Sequence, residues 1–257
     1  METSASPSRF WRWLLPVAVV ACLYVNYLYN AHPPAGALSN GQMSARHPTL
    51  LTPAGYAFSI WGVIFAGLLA YTVWQLLPRQ REALLPGRLT PPLVLAVLAT
   101  TTWTLVFSYE LIGLSLVVML TLLALLAWCY ASGRPLVLAG KAPGWPTWFL
   151  SLYLGWILLA TVLNLVFGLR DALGWHWPAG ASIVGSYALV AVAAGLGVAL
   201  AWRGRDALLS LPLAWGLMGT WAAQRAAVPG LAGAALGAAV LLVLGAGAAG
   251  WRRAAVG

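Results

Sequence analysis

The chain has 257 residues, 61% of them hydrophobic and only 7% charged, with a mean hydropathy of +0.84, whereas a water-soluble domain carries about 25% charged residues. Its formal charge of +9 would suit a nucleic-acid reader only if Lys and Arg clustered on one face or along a groove. They stand singly or in pairs between apolar runs instead, so the composition excludes nucleic acid and implies a lipid bilayer as the main partner.

Arg9 and Arg12 precede an apolar run from Trp13 to Tyr29. That run is too long for an ordinary signal core and has no small-residue cleavage pattern behind it, so an uncleaved first helix is expected. Apolar segments then recur at about 55 to 77, 90 to 109, 111 to 131, 147 to 169, 180 to 202, 207 to 224 and 229 to 251, the first running from about 11 to 30. Each is near the roughly 20 residues a spanning helix needs. The fold expected is all-α, an integral membrane protein of about eight transmembrane helices, with no room for a separate soluble domain. Tyr109 and Glu110 alone divide the third and fourth segments, which predicts a tight hairpin. Cys22 and Cys129 lie in or at the end of apolar segments and read as reduced packing residues, too few for a disulfide framework.

Alternate connections sort the positive charge. Arg9, Arg12, Arg79, Arg81, Arg88, Arg134, Lys141, Arg203, Arg205, Arg252 and Arg253 fall on one side, and only Arg46, Arg170 and Arg225 on the other, eleven against three of the fourteen. The excess marks the cytoplasmic side, so both ends are expected there, in the cell membrane. Seven or nine helices would destroy this alternation.

The longest connection, about 31 to 54, then lies outside. It carries His32, Pro33, Pro34, His47, Pro48 and Pro53, and reads equally well as a lid or as a passive connector. From about 178 onward the segments are mostly Ala, Gly, Leu and Val, a composition for close helix packing in lipid, as scaffold or as the face of a homodimer.

Polar and aromatic residues converge elsewhere. Asn26 and Asn30 fall at the outer end of the first helix, Tyr56, Phe58 and Trp61 at the outer end of the second, and Trp103, Phe107 and Glu110 in the outer half of the third. In the fifth, Tyr153 starts in the inner half, Trp156 is near mid-depth and Asn164 lies further out. Trp61, Phe65, Leu68 and Thr72 share one face by their spacing, as do Tyr153, Trp156, Ala160 and Asn164. An aromatic pocket with few polar groups is the usual form of a small-molecule site. Trp11, Trp13, Trp145, Trp148, Trp175, Trp177, Trp202 and Trp251 sit at or near helix ends, where Trp anchors to the bilayer interface. For the deeper Trp61, Trp103 and Trp156, packing and pocket are equal readings, while for Asn26 and Asn164 hydrogen bonding between helices is the commoner use in membranes. No Asp, Glu, Lys, Arg or His falls in the middle of a predicted helix, which argues against ion coupling. Glu110 and Asp206 sit only at helix ends, and His32, His47 and His176 are isolated loop residues without metal-ligand spacing. No acid, base and nucleophile stand together, so catalysis is not expected.

The run Pro53-Ala54-Gly55-Tyr56-Ala57-Phe58, followed by Trp61 and Phe65, resembles the Pro-Pro-Gly-Trp-x-Phe, Trp, Tyr motif that opens the second helix of the tryptophan-rich sensory proteins, the TspO/MBR or translocator-protein family. Trp103-Thr104-Leu105-Val106-Phe107 is similar to its Trp-Ser-x-Leu-Phe segment. Tyr153-Leu154-Gly155-Trp156, Ala160-Thr161 and Leu163-Asn164 resemble its fifth-helix signature. Tyr56 stands where that family has Trp, and one residue fewer separates Phe58 from Trp61. The family is a five-helix bundle, so the resemblance implies that bundle over residues 1–170 and three additional Ala/Gly-rich helices over 171–257. It also implies a receptor or sensor for a tetrapyrrole such as protoporphyrin IX, or for a sterol-like molecule, taken as ligand and not as cofactor. The ligand-binding residues it implies are Tyr56, Phe58, Trp61, Trp103, Tyr153, Trp156, Ala160 and Asn164; depth adds Asn26, Asn30 and Phe107, and the face pattern adds Phe65. Passive transport of the same ligand, and photo-oxidative breakdown of a porphyrin, are the alternatives.

Overall fold

The computed structural model describes residues 9–172, 174 and 181–254. Trp175, His176, Trp177 and both chain ends lie outside them, and the described part of α9 ends in residues whose side chains, Trp251, Arg252 and Arg253 among them, are not placed. The regular structure of the described residues is all helical: α1 (Arg9–Ala31), α2 (Asn40–Arg46), α3 (Ile60–Leu76), α4 (Leu84–Ser108), α5 (Ile112–Leu138), α6 (Trp148–Phe167), α7 (Ala181–Gly204), α8 (Leu211–Gln224) and α9 (Pro229–Ala254). Among the described residues, seven stretches are long and apolar enough to cross a bilayer, α3 with the 3₁₀ turn Gly55–Ser59 before it. The eighth expected span is the exception. α8 has 14 residues, about 21 Å of helix against a hydrocarbon core of about 30 Å. This is an all-α, multi-pass membrane protein.

The expected hairpin at Tyr109 and Glu110 is present, and its closure is instructive. Glu110 adopts φ 58°, its N–H bonds the carbonyl of Phe107, and the N–H of Leu111 bonds that of Val106, both at 3.0 Å. This is the paired closure that satisfies the last carbonyls of a helix, usually with Gly at the left-handed position. α5 ends in the same way at Gly140 (φ 68°), and α7 at Arg205 (φ 47°). α4 starts before its apolar segment, and α5 outlasts its own through Pro135. Hydropathy marks where hydrocarbon begins, whereas helical hydrogen bonding continues into the interface.

Contacts divide the described residues into two compact units whose boundaries interleave in sequence. One comprises Met1–Met43 with Trp61–Leu150, the other Ser44–Ile60 with Ser151–Gly257. In the first, α1 packs on α4 and α4 on α5. Arg12 and Gln75 join α1 to α3 reciprocally: the guanidinium donates to the Gln75 carbonyl at 2.6 Å, and the Gln75 amide donates to the Arg12 carbonyl at 3.0 Å. A Cβ on Gly67 would overlap that of Phe149, so α3 reaches the start of α6 only because that position has no side chain.

In the second unit α7, α8 and α9 pack on one another around a core of Leu and Ala that includes Leu213, Leu217, Leu231, Ala235 and Leu242. α6 approaches α8 at two glycines. A Cβ on Gly155 would overlap the Leu209 carbonyl oxygen, and one on Gly216 would overlap the Leu159 side chain. Asp206, 5% exposed, fixes the turn between α7 and α8: one carboxylate oxygen accepts from Ser151 Oγ at 2.6 Å and the other from the Leu208 N–H at 3.1 Å.

The long loop completes this unit. Its residues 49–57 lie along α8: the Ala54 N–H donates to the Gly219 carbonyl at 3.0 Å, Thr220 Oγ1 donates to the Leu51 carbonyl at 2.9 Å, and Trp215 Nε1 donates to the Ala57 carbonyl at 2.9 Å. A Cβ on Gly219 would stand 2.8 Å from that of Pro53. The segment is therefore a strap bound to α8, neither a free lid nor a slack connector.

Replacing Asp206 by Ala removes two charge-assisted bonds and leaves Ser151 unpaired, so a loss of about 2 kcal/mol is expected, read as a lowered melting midpoint in detergent; an unchanged midpoint would refute the staple. Trp215→Phe keeps the ring and deletes the indole N–H. Faster amide exchange over residues 49–57 is expected, with the exchange of α4 and α5 unaffected.

Candidate ligand-binding residues

Twelve residues were expected to line a site, and they fall into both units. Asn26, Asn30, Trp61, Phe65, Trp103 and Phe107 belong to the first unit, and Tyr56, Phe58, Tyr153, Trp156, Ala160 and Asn164 to the second.

In the first unit the aromatic residues form two stacks. Trp61 and Phe65 are one turn apart on α3, with ring centroids 5.2 Å apart and planes 28° from parallel. Trp103 and Phe107 repeat this on α4 at 4.7 Å and 17°. Side chains at i and i+4 lie one above the other on a helix face, which is what permits the stacking. Trp61, Trp103 and Phe107 are buried and Phe65 half-buried. Of the Trp61, Phe65, Leu68 and Thr72 face expected from spacing, all but the half-buried Phe65 are buried.

The asparagines serve structure in the first unit. Asn26 Nδ2 donates across to Thr104 Oγ1 at 3.4 Å, joining α1 to α4. Asn30 Nδ2 donates to the Asn26 carbonyl, and its Oδ1 accepts from the Asn40 N–H at 3.1 Å. Alongside, the Leu38 N–H donates to the Ser108 carbonyl at 2.8 Å. Two buried polar atoms remain at this end without a hydrogen-bond partner, Asn40 Oδ1 and Ser108 Oγ. Neither residue stood out in the sequence, because a lone Asn in a loop and a Ser at a helix end are common. Their burial alone singles them out.

In the second unit Phe58 meets Trp156 edge to face at 6.0 Å and 83°. Tyr153 and Trp156 are buried, Ala160 is half-buried, and Asn164 is buried with its amide donating to the Ala160 carbonyl at 3.0 Å. Tyr56 is 46% exposed, on a 3₁₀ turn, with its ring edge-on to Trp215 at 5.3 Å. Trp215 was missed in the sequence. Its signal was a Trp inside an apolar segment followed by Gly216 and Gly219, the small residues that let a backbone come close. Among the described residues no three His, Cys, Asp or Glu side chains gather at metal-binding range.

A family model described as TSPO-like protein matches residues 12–248, and so runs through α6 into the C-terminal helices. No curated protein and no solved structure matches the chain. The match spans nearly all of the sequence and includes each of the aromatic motifs placed above. This chain is therefore a member of the TSPO-like protein family, built as a multi-pass helical membrane protein.

Proposed function

We propose that this protein is a receptor or sensor for a flat hydrophobic ligand, a tetrapyrrole such as protoporphyrin IX or a sterol-like molecule, held by stacking on its motif aromatics. The observation that carries this reading is the pair of near-parallel ring stacks, Trp61 with Phe65 and Trp103 with Phe107, on buried faces. A planar ring system is attracted to such faces by dispersion and by offset quadrupoles. Polar edges of the ligand would meet Asn40 Oδ1 and Ser108 Oγ, since leaving a buried polar atom unpaired costs about 1–3 kcal/mol. Ser108 directly follows Phe107, which puts the hydroxyl next to the second stack in the chain. Within the second unit, Tyr153, Trp156 and Asn164 form a buried aromatic face of their own with an amide.

The same proposal places both ends on the cytoplasmic side of the cell membrane, because eleven of the fourteen Lys and Arg then face inward. Short as it is, α8 preserves that alternation: Arg203 and Arg205 precede it and Arg225 follows it.

Titration of the detergent-purified protein with protoporphyrin IX, followed by Trp quenching, is expected to saturate. Trp61→Ala and Trp103→Ala should each weaken binding about tenfold, as removal of a buried aromatic anchor does, while Trp61→Phe, which keeps a ring, should bind nearly as the parent does. Identical affinities across all three variants would end the assignment. Reporter tags at Met1 and Gly257 should be protected together in intact cells; tags on opposite faces would contradict the orientation.

A further inference from the structure

Where the chain entering α2 crosses the ends of α1 and α4, the first unit has used its hydrogen-bond donors and kept two acceptors. The backbone N–H groups there are taken: that of Leu38 by the Ser108 carbonyl at 2.8 Å, that of Ser39 by Gln42 Oε1 at 2.8 Å and that of Asn40 by Asn30 Oδ1 at 3.1 Å. The side-chain amides are engaged as well, since Asn30 Nδ2 donates to the Asn26 carbonyl at 2.9 Å and Asn26 Nδ2 to Thr104 Oγ1 at 3.4 Å. Asn40 Oδ1 and Ser108 Oγ, by contrast, have no hydrogen-bond partner among the described residues, although Asn40 is 4% and Ser108 0% exposed. An amide oxygen can only accept, whereas a serine hydroxyl accepts and also gives one proton.

Charge points the same way. The chain carries no Lys or Arg between Arg12 and Arg46, or between Arg88 and Arg134. Arg46 closes α2 about 9 Å further along the helix axis than Asn40 and belongs to the second unit. The charged residue closest to Ser108 in the chain is an acid, Glu110. His32 sets its ring edge-on to Tyr27 at 5.8 Å. The phenol of Tyr109 is exposed, with its ring edge-on to Tyr29 at 6.0 Å, so it belongs to the surface of this end and not to its interior. A carboxylate placed here brings more acceptors and a charge that meets no cation. An ether, ketone or ester brings acceptors alone. A hydroxyl gives its proton to either open oxygen and accepts the one that Ser108 can give.

We propose that this end of the first unit selects an uncharged ligand with a hydroxyl at its edge, which Asn40 and Ser108 receive while the flat body lies on the Trp103–Phe107 stack directly before Ser108 in the chain. The inference rests on the reading of that stack as the ligand's platform and narrows the ligand class within it. A tetrapyrrole dicarboxylate can stack on the rings but gains nothing at this end, because its acid groups find neither donor nor cation.

The test uses three probes that share one flat body. The full chain in detergent is titrated with pyrenebutanol, with the methyl ether of pyrenebutanol and with ionised pyrenebutyrate, and Trp quenching gives each affinity. The alcohol is expected to bind about tenfold more tightly than either of the others, the difference that one hydrogen bond to a buried group makes. The ether enters micelles more readily than the alcohol, so partition into detergent cannot produce this order. Asn40→Leu combined with Ser108→Ala should remove the preference and leave the affinity of the ether unchanged, which a general disturbance of the fold would not do. Trp103→Ala should weaken all three alike. Equal affinity for alcohol and ether, with both dependent on Trp103, means that water satisfies the two oxygens and overturns this proposal alone. If no probe saturates, or Trp103→Ala changes nothing, the stacking reading fails and this one with it. Because the comparison of probes uses the unaltered protein, it decides the matter even if a variant fails to fold.

Discussion

In hydrocarbon no backbone N–H or C=O can be left to solvent, so irregular chain near the membrane must find its partners in protein. The strap of residues 49–57 meets that constraint through α8, and much of the second unit follows from it. Pro53 has no N–H to satisfy, and the next one, of Ala54, reaches the Gly219 carbonyl. The carbonyls of Leu51 and Ala57 take hydrogen bonds from Thr220 and Trp215. Such contact needs a helix with small residues on one face, which is why Gly216 and Gly219 stand where α8 meets Leu159 and Pro53. A helix of 14 residues that carries a strap is a different object from a plain spanning helix, and its polar anchors fix it against its neighbours.

The close approaches elsewhere obey the same physics. Lipid tails are as apolar as Leu, so burying Leu against Leu does little to bring helices together; shape and hydrogen bonds must do it. Gly67 against Phe149 and Gly155 against the Leu209 carbonyl are the shape term. Arg12 with Gln75, Asn26 with Thr104, and Ser151 with Asp206 are the polar term. Each polar pair is placed near a helix end, where holding a charge or an amide is less costly than at mid-membrane.

The aromatic residues divide between anchoring and faces. Trp13, Trp128, Trp145 and Trp202 are exposed, as expected of side chains that meet lipid or the interface. Trp61, Trp103 and Trp156 are buried, and two of them stack on a Phe one turn away. Both stacks follow from placing a Trp and a Phe one turn apart on the same helix face.

The sequence by itself determined what one-dimensional signals carry. Apolar runs located every long helix, though α4 begins six residues before its run and α5 ends seven after its own; the Tyr109–Glu110 break located the hairpin, and the aromatic motifs identified the family, because each depends on residues close together in the chain. Spacing also grouped residues that are mostly buried on α3 and α6, with Phe65 and Ala160 half-buried. Tertiary structure alone decided that the loop is a strap, that α8 is short and bears it, and that Asn40 Oδ1 and Ser108 Oγ are buried without a partner among the described residues. Those facts rest on contacts such as Trp215 with Ala57, 158 residues apart in the chain. No hydropathy window reaches that far, and a hydrogen bond between distant residues leaves no periodic trace in either segment.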